Sequence, residues 1–147
     1  RLLPLYCYKY GFKGYEFWGA DWYTVNPLKW GLHMDIPQSD TPGKHYRVRY
    51  PNGDGYIFYP GKLIGQTQPF SSVRMESHRD GVEDYEYFVM LEKLAKAKKP
   101  ALDTLERIKE MAFIPNAGGR NAVMLLPNPE EYTKLRAKIA RHIERLK

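Results

Sequence analysis

Cysteine is nearly absent: Cys7 is the single one in 147 residues. That excludes an internal disulfide and any metal site built from several cysteines. Cys7 lies in an apolar run and reads as a small packed residue rather than a nucleophile. No apolar stretch reaches the roughly 20 residues that a membrane-spanning helix needs, so no membrane partner is expected. His33, His45, His78 and His142 include no two with ligand spacing on one element, and no metal is expected. Arg/Gly repeats, zinc spacings and basic stripes interleaved with aromatics are missing, which argues against nucleic acid as a partner. No internal repeat or low-complexity tract is present.

Aromatic residues, by contrast, are plentiful. The chain is 43% hydrophobic and 14% aromatic, too apolar for a disordered segment. Its twelve tyrosines and three tryptophans fall mostly before residue 90, and such rings serve a core as well as they serve a sugar-stacking surface. The formal net charge is +6, with the excess late in the chain, from Lys93 to Lys99 and from Lys134 to Lys147. There the cations alternate with Glu92, Glu106, Glu110, Glu130, Glu131 and Glu144 at helical spacing, as on solvated helix faces.

Residues 1–10 read as a helix with Pro4 in its first turn and Gly11 as its stop. The first residue is Arg1 rather than Met, inside an uncapped apolar pattern, so the polypeptide is expected to extend upstream. Gly14-Tyr15-Glu16-Phe17-Trp18-Gly19 reads as a glycine-bounded strand. Helix, short turn and strand make half of a β/α repeat, which predicts a parallel sheet. Residues 20–44 carry turn signals and no clear period, as in a long functional loop. Strands are expected at 46–50 and 56–59, around the Asn52-Gly53-Asp54-Gly55 turn, either as a hairpin or as a loop feeding a barrel strand. A helix is expected from Ser71 to Lys99, with Val73, His78, Val82, Tyr85, Val89 and Leu94 tracing its inner face and a possible bend at Gly81. A second follows Pro100, with Leu102, Leu105, Ile108 and Met111. After a linker at 114–129, a last helix turns Tyr132, Leu135, Ile139, Ile143 and Leu146 inward.

Three segments then resemble one family. They are Gly14 to Gly19 with Trp22 behind it; Gly53-Asp54-Gly55-Tyr56 with Tyr59-Pro60-Gly61; and Ser72-Val73-Arg74-Met75-Glu76 followed by Arg79-Asp80-Gly81-Val82-Glu83-Asp84-Tyr85-Glu86-Tyr87. Their order and spacing over about residues 1–95 resemble the C-terminal region of glycoside hydrolase family 123 and its uncharacterised relatives. Met75 stands where that family more often has leucine. The resemblance implies a TIM-barrel catalytic domain in a periplasmic or secreted protein. It implies cofactor-free, retaining cleavage of β-linked N-acetylgalactosamine assisted by the substrate's acetamido group. An adjacent Asp-Glu pair would orient that group and act as general acid/base. In this chain the mixed adjacent acid pair is Glu83-Asp84, on an expected helix rather than a strand end, so the catalytic pair is expected upstream. A whole barrel takes about 250 residues, and this chain has room for about its last two β/α units.

The expected architecture is therefore α/β: C-terminal units of a TIM-like barrel over residues 1–99 and a helical extension over 100–147. The partners are a carbohydrate substrate and the N-terminal remainder of the barrel. Trp18, at the end of the expected strand, and Trp22 in the loop are candidates for stacking on a sugar ring, with core packing as the alternative at both. Asp21 is a candidate hydrogen-bond partner for a sugar hydroxyl, or a loop cap. Glu16 shares the Trp18 face, and a carboxylate inside a barrel must be paired or functional. The charged residues from Arg74 to Asp84 are expected to form ion pairs that tie their helix down. The competing reading is a non-catalytic carbohydrate-binding or scaffold domain; a third, basic nucleic-acid binding, would show steep salt dependence.

Overall fold

A computed structural model describes residues 1–20, 33–37, 45–49, 53, 55–112 and 129–147, with 33–37, 45–49 and 129 described by their backbone alone. Contacts divide the chain into two compact units, residues 1–15 with 77–147, and residues 16–76.

The first unit is helical. Helix α1 (Leu2–Tyr10) carries Pro4 in its first turn and stops at Gly11, whose φ of 69° is the left-handed conformation that glycine adopts at no steric cost. Most of α2 (Val73–Ala95), α3 (Lys99–Met111) and α4 (Pro129–Leu146) complete it. Leu5 and Tyr6 of α1 pack with Phe88, Leu91 and Ala95 of α2, Ala101, Leu105 and Ile108 of α3, and Leu135, Ile139 and Ile143 of α4. In α3 and α4 the buried positions recur at three- and four-residue intervals, the stripe a helix needs to bury one face. Lys9 donates from Nζ to the Ala112 carbonyl at 2.9 Å, so α1 satisfies an orphan acceptor at the end of α3. Glu130 and Glu131 in the first turn of α4 and Arg145 in its last turn complement the helix dipole.

The inner face of α2 differs from the expected one. Val73 is 80% exposed and Val82 is also exposed, while Gly81, Asp84, Phe88, Leu91 and Ala95 are buried. That seam is a regular three-four alternation, but its first two members are a glycine and an aspartate. Gly81 causes no break in α2: it is the place where a chain approaches. A Cβ there would sit 2.8 Å from Arg1 Cα and 2.9 Å from Arg1 O.

The second unit holds the strands, and they are antiparallel. Strand β1 (His33–Pro37) pairs with β2 (His45–Arg49), His33 opposite Arg49 and Pro37 opposite His45. Strand β3 (Phe58–Tyr59) pairs with β4 (Phe70–Ser71). A 3-10 turn, Gly61–Ile64, lies between the last two. No parallel pair occurs among the described residues, and residues 14–19 form no strand. The β/α half-unit expected over residues 1–19 is thus a helix followed by irregular chain. A strand forms only where a neighbour takes its backbone hydrogen bonds. The expected strands at 46–50 and 56–59 do form, shortened or shifted, but each pairs with another partner. The molecule is α/β in content and mostly helical.

Candidate functional site

In the second unit one arginine lies against a stack of three aromatic rings. Tyr56 is buried, and its ring stacks on Tyr59 at 5.8 Å; Tyr59 in turn stacks on Phe70 at 5.4 Å. Arg74, the second residue of α2, lies over the Tyr59 ring, its Cζ 5.5 Å from the centroid. Its Nε donates to the Tyr56 carbonyl at 2.5 Å, and Nη2 donates to the Tyr59 hydroxyl. The start of α2 is fixed by Ser72, whose Oγ accepts the Met75 N–H at 3.2 Å and donates to the Ile57 carbonyl at 2.6 Å. Ser71 Oγ donates to Glu76 Oε1 at 2.6 Å. The Ala20 carbonyl accepts from both Ile57 N–H, at 2.8 Å, and Phe58 N–H, at 3.2 Å. The Trp18-Gly19-Ala20 segment is thereby held to the backbone of residues 57 and 58.

Trp18 is 46% exposed and tilts against Phe17, whose centroid is 6.1 Å away; Phe17 and Phe58 are exposed as well. In these residues Trp18 is half exposed. Glu16 is exposed and sits in irregular chain. Asp21 and Trp22 lie outside the described residues. The sequence reading missed Phe58, and it placed Arg74 among the ion pairs, with a reach from the helix start to a pocket rim as the alternative. Nothing periodic links Arg74 to Tyr59, fifteen residues earlier; the available signal was the pair of glycines in Gly53-Asp54-Gly55.

The acidic cluster of α2 behaves as structure. Asp84 is wholly buried in the first unit. Arg1 Nε donates to its Oδ2 at 2.8 Å, and Arg136 Nη1 lies 3.1 Å from Oδ1, an ion-pair contact off the hydrogen-bonding direction. Arg136 Nη2 donates to Glu83 Oε2 at 2.9 Å, Asp80 stands 3.8 Å from Arg1, and Arg79 stands 3.9 Å from Glu83. The Arg1 guanidinium also lies over the Tyr132 ring, 4.7 Å from its centroid. Burial, and then the Asp84 carboxylate, push the Tyr132 phenol up. Arg136 is raised although burial opposes it, because Glu83 and Asp84 hold its charged form. With guanidinium groups against both its oxygens, Asp84 is closed to a substrate.

A cavity of about 210 Å³ opens in the same unit, lined by Pro4, Cys7, Phe12, Lys13, Tyr15, Val82 and Tyr85. At its rim the Tyr15 hydroxyl lies 2.5 Å from His78 Nδ1. His78 is thus a helix residue with a hydrogen-bond partner in Tyr15. The cavity wall holds no carboxylate. Among the described residues no three His, Cys, Asp or Glu side chains group as metal ligands, and no helix is long and apolar enough to cross a membrane.

Residues 1–91 match the family model described as glycoside hydrolase 123, catalytic domain. No curated protein and no solved structure matches the chain.

Proposed function

The chain belongs to glycoside hydrolase family 123, and from that premise we propose that it is the C-terminal portion of a hydrolase acting on β-linked N-acetylhexosamine. Residues 1–99 are the end of a TIM-like barrel and 100–147 its helical extension. The catalytic Asp-Glu pair belongs to an upstream strand. There the carboxylic acid protonates the leaving oxygen while the substrate's acetamido oxygen attacks the anomeric carbon. Trp18 supplies a flat wall for the sugar, with Trp22, Asp21 and Glu16 nearby in sequence.

The observation that carries this reading is the exposure of Trp18 within the segment matched to a catalytic domain. A large ring left half in water, against exposed Phe17, is what an apolar sugar face can cover. The non-catalytic alternative, a carbohydrate-binding or scaffold domain, shares the Trp18 surface and needs no carboxylate pair. Titration calorimetry with N-acetylgalactosamine tests the shared part. Trp18→Ala is expected to weaken binding about tenfold, the equivalent of about 1.4 kcal/mol. Equal affinities for parent and variant would remove Trp18 from the site.

A further inference from the structure

We propose that Arg74 is a positioning residue for the aromatic face that carries Trp18, a role that rests on the reading of Trp18 as a sugar contact. Its side chain is drawn toward neutral groups: the partners described for it are the Tyr56 carbonyl and the hydroxyl and ring of Tyr59. A cation placed on neutral acceptors 18 and 15 residues away acts through shape, because it gains little attraction from them compared with a carboxylate.

The shape is tightly specified. Tyr56 N–H donates to the Gly53 carbonyl at 3.1 Å and closes a turn. Gly53 has φ of 89°, where an L side chain is strained, and the Arg74 guanidinium, Nη1 and Cζ foremost, occupies the place its Cβ would take. The backbone there favours glycine, and the missing Cβ leaves room for the guanidinium. Arg74 then grips residues 56 and 59 on either side of Ile57 and Phe58, the two residues whose N–H groups hold the Ala20 carbonyl. Ser72 takes the Ile57 carbonyl, so both polar groups of Ile57 are engaged. One fork therefore sets residues 56–59, and these set the backbone two residues after Trp18. Lysine cannot replace it, since an ammonium is a point donor on a flexible stem and cannot span a carbonyl and a hydroxyl in a fixed plane.

The test compares the polypeptide that also carries the proposed upstream barrel strands with its Arg74→Ala, Arg74→Lys and Trp18→Ala variants. Amide hydrogen exchange at Ile57 and Phe58 reports the link to Ala20, and N-acetylgalactosamine affinity reports the site. Exchange at Leu91 and Ile139 reports the helical core. Both Arg74 variants are expected to speed exchange at Ile57 and Phe58 by about tenfold or more and to weaken the sugar by a similar factor, with Leu91 and Ile139 unchanged. Trp18→Ala is expected to weaken the sugar while leaving exchange at 57 and 58 as it was. Unchanged exchange in Arg74→Ala overturns the positioning role, whatever happens to affinity; loss of affinity alone would mean that Arg74 touches the ligand itself. Full rescue by Arg74→Lys would overturn the argument from the fork. A parent chain that binds no sugar would refute the sugar reading, while exchange at Ile57 and Phe58 would still decide whether Arg74 sets the segment.

Discussion

Gly81 and Asp84 sit three residues apart on the buried side of α2, and each breaks a rule of thumb for helices. A glycine inside a helix costs about 1 kcal/mol relative to alanine, so Gly81→Ala would stabilise an isolated α2. In the folded chain the added Cβ meets backbone atoms of Arg1 at 2.8 and 2.9 Å and Pro4 Cγ at 3.0 Å. Backbone cannot rotate aside as a flexible side chain can, and overpacking of this kind costs about 1–3 kcal/mol. The clash is expected to win: chemical denaturation should show Gly81→Ala less stable than the parent by about 1 kcal/mol. A gain in stability would mean that α1 shifts freely. For Asp84 the comparison is with its neighbour. Removing a buried carboxylate leaves Arg1 and Arg136 facing an emptied site, and Asp84→Ala is expected to cost about 3 kcal/mol. Glu83, whose side chain is 50% exposed, makes a pair of the kind that contributes about 0–1 kcal/mol. If denaturation finds the two alanine variants equally stable, the Asp84 ion pairs contribute nothing beyond a surface bridge.

Between α3 and α4 a polar contact interrupts the apolar seam, and its direction can be worked out. Thr104 is fully buried, and its Oγ donates to the Pro100 carbonyl at 2.9 Å. With its single proton used there, the oxygen 3.2 Å from His142 Nε2 must accept, so the imidazole carries its proton on Nε2. Burial first, and then Lys138, Arg145 and Arg141, lower the His142 pKa below its ordinary value of about 6.5. The unfolded chain therefore takes up the proton more readily than the folded one. Above that ordinary value His142 is neutral in both states and contributes nothing; as pH falls through it, folding loses free energy until the lowered folded pKa is passed. Denaturation midpoints at pH 7.5 and pH 5 should fall more in the parent than in His142→Gln, and parallel falls would show that His142 does not respond. At this scale the sequence was readable where residue type and burial agree. Gly11 stops α1, and Leu135, Ile139 and Ile143 mark the inner face of α4. The inner face of α2 was misread because Gly81 and Asp84 hold positions that a search for apolar side chains skips. Strand β1 was missed although His-Met-Asp-Ile alternates polar and apolar, because Pro37 ends so short a run among turn signals and its register comes from β2. The run from Gly14 to Gly19 has strand-forming residues, but such preference describes fit to a pleated neighbour. Of the candidate site, Trp18 was legible as an aromatic beside a glycine. Arg74 was not, since its partners are brought to it only by folding.

For the molecule as a whole, the family assignment and the side chains make different demands. Glycoside hydrolysis assisted by an acetamido group needs one carboxyl group to orient that group and another to protonate the leaving oxygen, both open to the sugar. In Glu83-Asp84 one member is wholly buried between arginines and the other is held by Arg136 at 2.9 Å. Both sit on a helix, whereas barrel enzymes place their reacting groups at the ends of strands. Residues 1–147 alone are therefore expected to release no chromophore from an aryl β-N-acetylgalactosaminide. On the proposed reading, a polypeptide that also carries the Asp-Glu pair is expected to release it. In that longer protein Glu83→Gln should leave kcat/KM within about twofold, since the group lies outside the chemistry, while Trp18→Ala should lower it about tenfold through lost stacking. Turnover by residues 1–147 alone would place the acid/base pair within these residues and refute the upstream assignment. A longer protein that binds the sugar without cleaving it would instead favour the non-catalytic reading, in which the barrel wall and its tryptophan persist as a binding surface.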